Sequence, residues 1–251
     1  QNPADLHFAI PSGSVVARGR PGLGFEYRYT LVMAVLDCAY GLDDAFEWFG
    51  GNVDAKYLVA YRGLDDDLDV DLGYSGNVQY ALCIRGASLA DQSGSNGFEV
   101  DNDGAGSSNT PYTSATFSNI SIIGPKKTRE TPISLQFQHA AQLRRNSRIK
   151  IHNSFLTGYP DGLYINGSGS ASAAEANELR VRNTILAGVE HWGGNGWGSA
   201  GSIFTDAPAN GNQHPNNPRG NALKTDADGF DVAAWFNTPA FNNTLMPKWN
   251  D

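Results

Sequence analysis

The sequence predicts an all-β solenoid, in which short strands recur so that each winding lies on the one before it. Two strand series and a register of turn residues carry that prediction. The first series alternates apolar and acidic residues, as Phe46-Glu47-Trp48-Phe49, Leu68-Asp69-Val70-Asp71 and Phe98-Glu99-Val100-Asp101, and continues in neutral form as Leu135-Gln136-Phe137-Gln138 and Leu163-Tyr164-Ile165-Asn166. The second series accompanies it, at residues 55–59, 78–82, 117–121, 151–155 and 181–185. The last three copies of this second strand place Asn119, Asn153 and Asn183 at one position, each followed five residues later by Gly124, Gly158 or Gly188, which is turn punctuation at a fixed offset.

Side chains alternate faces along a strand. In the first series Phe46, Trp48, Leu68, Val70, Phe98, Val100, Leu135, Phe137, Leu163 and Ile165 therefore share one buried face, and the acids stand on the other. In the second series the three asparagines take the inward parity with Phe117, Ile151, Phe155, Val181 and Ile185. Buried amides must be hydrogen-bonded, and a column of Asn can bond to itself and to turn backbone, so the expected role is structural. Cys38 and Cys83 align with Ala60 two windings apart, at roughly 9.6 Å, beyond disulfide reach; two free thiols are expected.

The ends of the chain are less regular. Residues 189–198 carry Trp192 and Trp197 between glycines, and two readings stand: a loop whose indoles stack on a sugar face, or a cover folded over the end of the solenoid. Residues 206–221 are rich in Pro, Asn and Gly and read as surface loop; residues 229–236 suit a short capping helix, with Asp226 or Asp228 as its N-cap. The 251 residues, 40% hydrophobic with 29 Gly and 12 Pro, fit one elongated domain over 1–251: irregular or N-terminal coils at 1–40, core coils at 41–188, loops and cap at 189–251. Position 1 is Gln, as expected of a processed or trimmed chain. No apolar run is long enough to span a membrane.

Charge is uneven. Residues 1–125 hold 6 Lys or Arg against 16 Asp or Glu, and residues 126–251 hold 12 against 10. An acidic first half excludes nucleic acid as the expected partner and favours small cations. Stacking places Glu47, Asp69 and Glu99 in one outward column and begins another with Asp71 and Asp101, about 5 Å apart between neighbouring strands. Like charges that close either keep protons at neutral pH or bind a hard cation. An oxygen-only donor set suits Ca²⁺ rather than Zn²⁺, so these five residues are the candidate metal ligands; the competing reading is a solvated acidic face with Asp65 to Asp67 as turn residues. Later in the chain Arg148, Lys150, His152, Arg180 and Arg182 form a basic outward patch, read either as a site for the anionic groups of an acidic polysaccharide or as a solubilising face. Standard nucleophile, metalloprotease, P-loop and dinucleotide motifs are absent, and the five histidines lack metal-ligand spacing.

The segments GLDDAFEWFGGNVDAKYLVAYRGLDDDLDVDLGYSGNVQ, ADQSGSNGFEVDNDGAGSSNTP and LRRNSRIKIHNSFLTGYPDGLYING resemble a family of secreted or surface-anchored bacterial right-handed parallel β-helix proteins of the pectate-lyase-like superfamily. The resemblance spans roughly residues 41–188 and fades before Gly41, where Arg18 to Tyr29 read as a loop or incomplete coil. It implies a single-stranded right-handed parallel β-helix with long loops and a short C-terminal helix. It also implies extracellular or cell-surface work on polysaccharides, often with Ca²⁺ on an acidic face and Lys or Arg as a base in the uronate lyases. No catalytic motif of those lyases matches here residue by residue. Two functions follow as expectations: a surface module that binds Ca²⁺ and an extended acidic polysaccharide, or a surface protein, without turnover; or a Ca²⁺-dependent uronate lyase with Lys56 or Arg85 abstracting the α-proton.

Overall fold

The computed structural model describes residues 44–189 together with the backbone of 15–16, 26–27 and 222–224. Strands β1 (Val15–Val16) and β2 (Glu26–Tyr27) pair antiparallel. There follow β3 (Phe46–Phe49), β4 (Ala55–Tyr61), β5 (Leu68–Asp71), β6 (Asn77–Ile84), β7 (Phe98–Val100), β8 (Thr116–Ile123), β9 (His139–Arg144), β10 (Lys150–His152), β11 (Phe155–Thr157) and β12 (Asp161–Asn166). Helix α1 (Ser168–Glu175) precedes β13 (Arg180–Arg182), β14 (Ile185–Ala187) and β15 (Ala222–Lys224). Strands β3, β5, β7, β9 and β12 build one parallel sheet, and β4, β6, β8, β10, β11, β13, β14 and β15 the other. Each winding lays one rung on each sheet, so the chain is a parallel β-helix.

The alternating pattern explains the core. Phe46, Leu68, Phe98, Ala141 and Leu163 are register partners in one inward column, and Val70, Val100, Leu143 and Ile165 extend a second. They meet Phe117, Ile120, Ile122, Ile151 and Leu156 of the other sheet, with Phe98 and Phe117 edge to face at 5.1 Å. Burying each such side chain contributes about 1.5–3 kcal/mol, repeated at every winding. The glycine offset also has a steric origin: a Cβ on Gly124 would lie 2.5 Å from the carbonyl oxygen of Thr157, one winding on. Cys83 is a buried free thiol in register with Ala60, as expected; Cys38 lies outside the described residues.

Three expectations need correction. The fourth copy of the first strand is Ala141-Gln142-Leu143-Arg144, not residues 135–138; Leu135 is 98% exposed, whereas Phe137 is buried against Tyr159 as expected but pairs with Ser95 outside the strands of the sheet. Spacing alone favoured the earlier tetrapeptide because its Leu and Phe are larger than Ala141 and Leu143. Asn119, Asn153 and Asn183 point outward: each sits at positive φ, and this left-handed residue bends the strand so that the inward side passes from Ile151 to Leu156. Ile185 is accordingly exposed and Phe155 packs on a satellite cluster with Tyr61, Ile84 and Ile123. Helix α1, a run of Ser, Gly and Ala with Ser170, Ala173 and Ala174 buried, carries no apolar stripe that a sequence reading would detect. The helix expected at 229–236 lies outside the described residues. Among those described, no helix is long and apolar enough to cross a membrane.

Candidate carboxylate face

The outer side of the β3–β5–β7–β9–β12 sheet carries chemistry in columns, because parallel in-register pairing puts equivalent residues of successive windings side by side. Glu47, Asp69, Glu99, Gln142 and Tyr164 are successive register partners. Three residues before each of them stand Asp44, Asp66, Asn96, His139 and Asp161. This second column is stitched across windings: Asp44 Oδ1 accepts the amide of Asp66 at 2.9 Å, Asp66 Oδ1 accepts that of Asn96, and Asn96 Oδ1 accepts that of His139 at 3.1 Å. Sequence reasoning missed it; the signal was the constant three-residue offset from the outward acids.

The two columns converge at their N-terminal end. Carboxylate oxygens of Asp44, Glu47 and Asp69 lie within 4.8 Å of one another, and so do those of Asp44, Asp65 and Asp66. Burial, then the charges of Asp44, Glu99, Glu47 and Asp101, push the Asp69 carboxyl up to about 8. Asp66 is also raised well above the carboxylate range, first by burial and then by Glu99, Asp65 and Asp44. Burial also raises Asp71, whose Oδ1 accepts the Leu72 amide at 2.6 Å. The face thus stores protons in the absence of a counter-cation.

Toward the later windings the charge is met by protein. Arg144 donates to Glu99 at 2.6 Å and to Asp101 at 2.8 Å, and Arg145 donates to Asp101 at 2.6 Å. Of the five predicted metal ligands, Glu47 and Asp69 share the dense end with Asp44, whereas Glu99 and Asp101 are engaged by guanidinium groups. Past them, His139 stacks on Tyr164 at 4.4 Å, with Nδ1 3.1 Å from Asn96 Oδ1 and Nε2 3.5 Å from Asp161. Burial lowers His139 to about 4 against the pull of Asp161, so at neutral pH this is a polar contact of a neutral imidazole and not an ion pair.

A family model described as "Pectate-lyase like beta helix domain" matches residues 30–236. The chain belongs to that family. No curated protein and no solved structure matches it. In this pectate-lyase-like β-helix the donor set at Asp44, Glu47 and Asp69 fits a hard dication: all donors are carboxylate oxygens, and opposed ligands on one Ca²⁺ at about 2.4 Å would be roughly 4.8 Å apart.

The remaining predicted residues are distributed over the β-helix. Lys56 is exposed on β4, in the other sheet. Arg85 is enclosed: it donates to Asp67 at 3.1 Å and to the Leu64 and Asp65 carbonyls, lies over the Phe137 ring, and Asp67 keeps it cationic against the cost of burial. A guanidinium so placed cannot reach a substrate proton, which corrects its nomination as a base. The strand register sets Lys150 beside Arg180 and His152 beside Arg182. Arg148 pairs with Glu178 and lies 3.5 Å from the Tyr112 ring centroid, Arg180 donates to the Asn177 carbonyl at 2.6 Å, and Arg182 to Asn177 Oδ1 at 2.8 Å. Burial and then Arg182, Arg180 and Lys150 lower His152. Trp192 and Trp197 lie outside the described residues.

Proposed function

We propose that this β-helix is a non-catalytic extracellular module that holds an extended acidic polysaccharide through a bound Ca²⁺ ion. The observation that carries the reading is the approach of the Asp44, Glu47 and Asp69 oxygens to within 4.8 Å of one another on one sheet face. The ion would bridge these carboxylates to a uronate carboxylate of the glycan, leaving Asp71, Glu99 and Asp101 to shape the rim. Arg148, Lys150, His152, Arg180 and Arg182 supply a second, anionic-group contact on the other sheet. Pectate-lyase-like β-helix domains are typically extracellular, which supports placing the module on a cell surface or outside it.

The lyase alternative needs a base beside the cation, and the two nominated residues speak against it: Arg85 is enclosed and Lys56 belongs to the other sheet. The test is calorimetric titration of EDTA-treated protein with Ca²⁺, followed by binding of polygalacturonate with and without the ion. Saturable Ca²⁺ binding that Asp69→Asn abolishes, and polymer binding that requires Ca²⁺, are the expected results. Absence of Ca²⁺ binding overturns the reading. Appearance of ultraviolet-absorbing unsaturated product on incubation with polygalacturonate replaces the module with the lyase.

A further inference from the structure

A second stripe of outward side chains runs along the bend of the eight-stranded sheet. In register order it reads Tyr57, Tyr80, Asn119, Asn153 and Asn183. All five are left-handed, with φ of 60°, 61°, 60°, 50° and 49°. Asn tolerates that conformation and Tyr does not, since its Cβ meets the following carbonyl. Nor does the core require tyrosine here, because the two residues are 53% and 44% exposed. They stack on each other, with centroids 5.4 Å apart and planes 8° from parallel. The bend of the strand accounts for left-handed backbone at all five positions but not for tyrosine at two of them, so the exposed, stacked aromatic pair points to a role outside the fold.

Where the stripe changes from Tyr80 to Asn119, the bulk falls away and a shallow trough of about 420 Å³ opens, lined by Asn119, Ser121, Asn153, Ser154, Phe155, Asn183 and Ile185. The lining holds no charged residue. Asn119 Oδ1 accepts from Ser118, and the carboxamides of Asn153 and Asn183 have no hydrogen-bond partner among the described residues, so they do not form the self-bonded column that adjacent amides permit. Of the chain neighbours of these asparagines, the Arg182 guanidinium is directed to Asn177, and burial and the charges of Arg182, Arg180 and Lys150 favour the neutral form of His152. The trough therefore offers free amide donors and acceptors on the neighbouring windings of Asn153 and Asn183, about 4.8 Å apart, beside the apolar surfaces of Phe155 and Ile185.

We propose that this stripe is a binding site for an extended neutral polysaccharide lying along the helix axis, distinct from the carboxylate face. Pyranose rings carry hydroxyls at their edges for the amides and apolar C–H faces for aromatic and aliphatic surface, and an uncharged chain suits a lining without charge. This reading does not depend on the cation site.

Affinity electrophoresis of the full chain in EDTA, through gels containing mixed-linkage β-glucan, xylan or galactomannan, tests it, with polygalacturonate and a plain gel as comparisons. Retardation by at least one neutral polymer is expected. The Tyr57→Asn/Tyr80→Asn variant should bind about tenfold more weakly. The Asn153→Gly/Asn183→Gly variant, which keeps a residue suited to left-handed backbone, should bind about fivefold more weakly. Thermal melting of both variants checks that they are folded, and the second serves if the first is not. The proposal is overturned if no neutral polymer retards the protein, if only polygalacturonate does, if folded variants bind like the wild type, or if the variants abolish a retardation seen in the plain gel, which would assign the stripe to self-association.

Discussion

Replacing Asp69 by Asn should stabilise the cation-free protein at alkaline pH and leave it unchanged at acidic pH. Asp69 sits between Glu47 and Glu99 in register, and Asp44 approaches it from the neighbouring column. At roughly 5 Å, each ionised neighbour repels it by about 3 kcal/mol at an effective dielectric of ~20, and by about 0.8 kcal/mol in bulk water. A half-buried side chain lies between these limits, and proton uptake limits the cost, as the rise to about 8 records. An unfolded aspartate releases its proton near ~3.9. Between that pH and about 8 the folded state holds a proton that the unfolded chain has lost, so stability falls as pH rises across this window. Asn imitates the protonated carboxyl at every pH. The expected gain at about pH 9 is on the order of 2 kcal/mol, or roughly 4–8 °C in Tm for a chain of this size. Calorimetric melts in EDTA at low salt, from about pH 5 to pH 9, measure it. A variant that melts no higher than wild type at pH 9, or whose gain is the same at both ends of the range, refutes the argument that these carboxylates are electrostatically coupled.

Arg144→Gln should act in the opposite sense. It removes the bonds to Glu99 and Asp101, leaving Glu99 without its guanidinium beside an already acidic column and Asp101 with Arg145 alone, and should cost about 2 kcal/mol in urea unfolding at pH 8. The loss should shrink near pH 4, where carboxylates take up protons; a loss independent of pH would mean that packing, not charge, is what Arg144 supplies. Asn153→Ala should cost about 1 kcal/mol, because its φ of 50° crowds any Cβ that lacks a compensating side chain, whereas Asn153→Gly should fall within a few tenths. Equal urea midpoints for the two variants would contradict the left-handed assignment.

The alternation of Phe46-Glu47-Trp48, Leu68-Asp69-Val70 and Phe98-Glu99-Val100 was sufficient to read both the solenoid and the column of acids, since an in-register parallel stack converts sequence repeats into spatial neighbours. It failed where a repeat lost its signature. Ala141-Gln142-Leu143 has neither a large first apolar residue nor an outward acid, so residues 135–138 looked like the better copy. Parity counting failed at Asn119, Asn153 and Asn183 for a different reason: one left-handed residue in mid-strand resets which side faces inward, and no two-residue period includes it. Asp44, Asp65 and Asp66 were visible as acids but not as partners of Glu47 and Asp69, because they belong to turns whose path a strand pattern does not describe.

By itself, then, the sequence determined the class of fold, the inward columns and the sign of charge on each stretch, all of which follow from local alternation repeated at each winding. Only the tertiary structure decided which charges are answered and by whom. Arg144 neutralises Glu99 and Asp101 from 45 and 43 residues away, Arg85 turns out to be an enclosed partner of Asp67, and the tyrosines and asparagines share one outward stripe. Coulomb and hydrogen-bond energies depend on distance and burial, and for residues on different windings both are set by how the coils stack and turn.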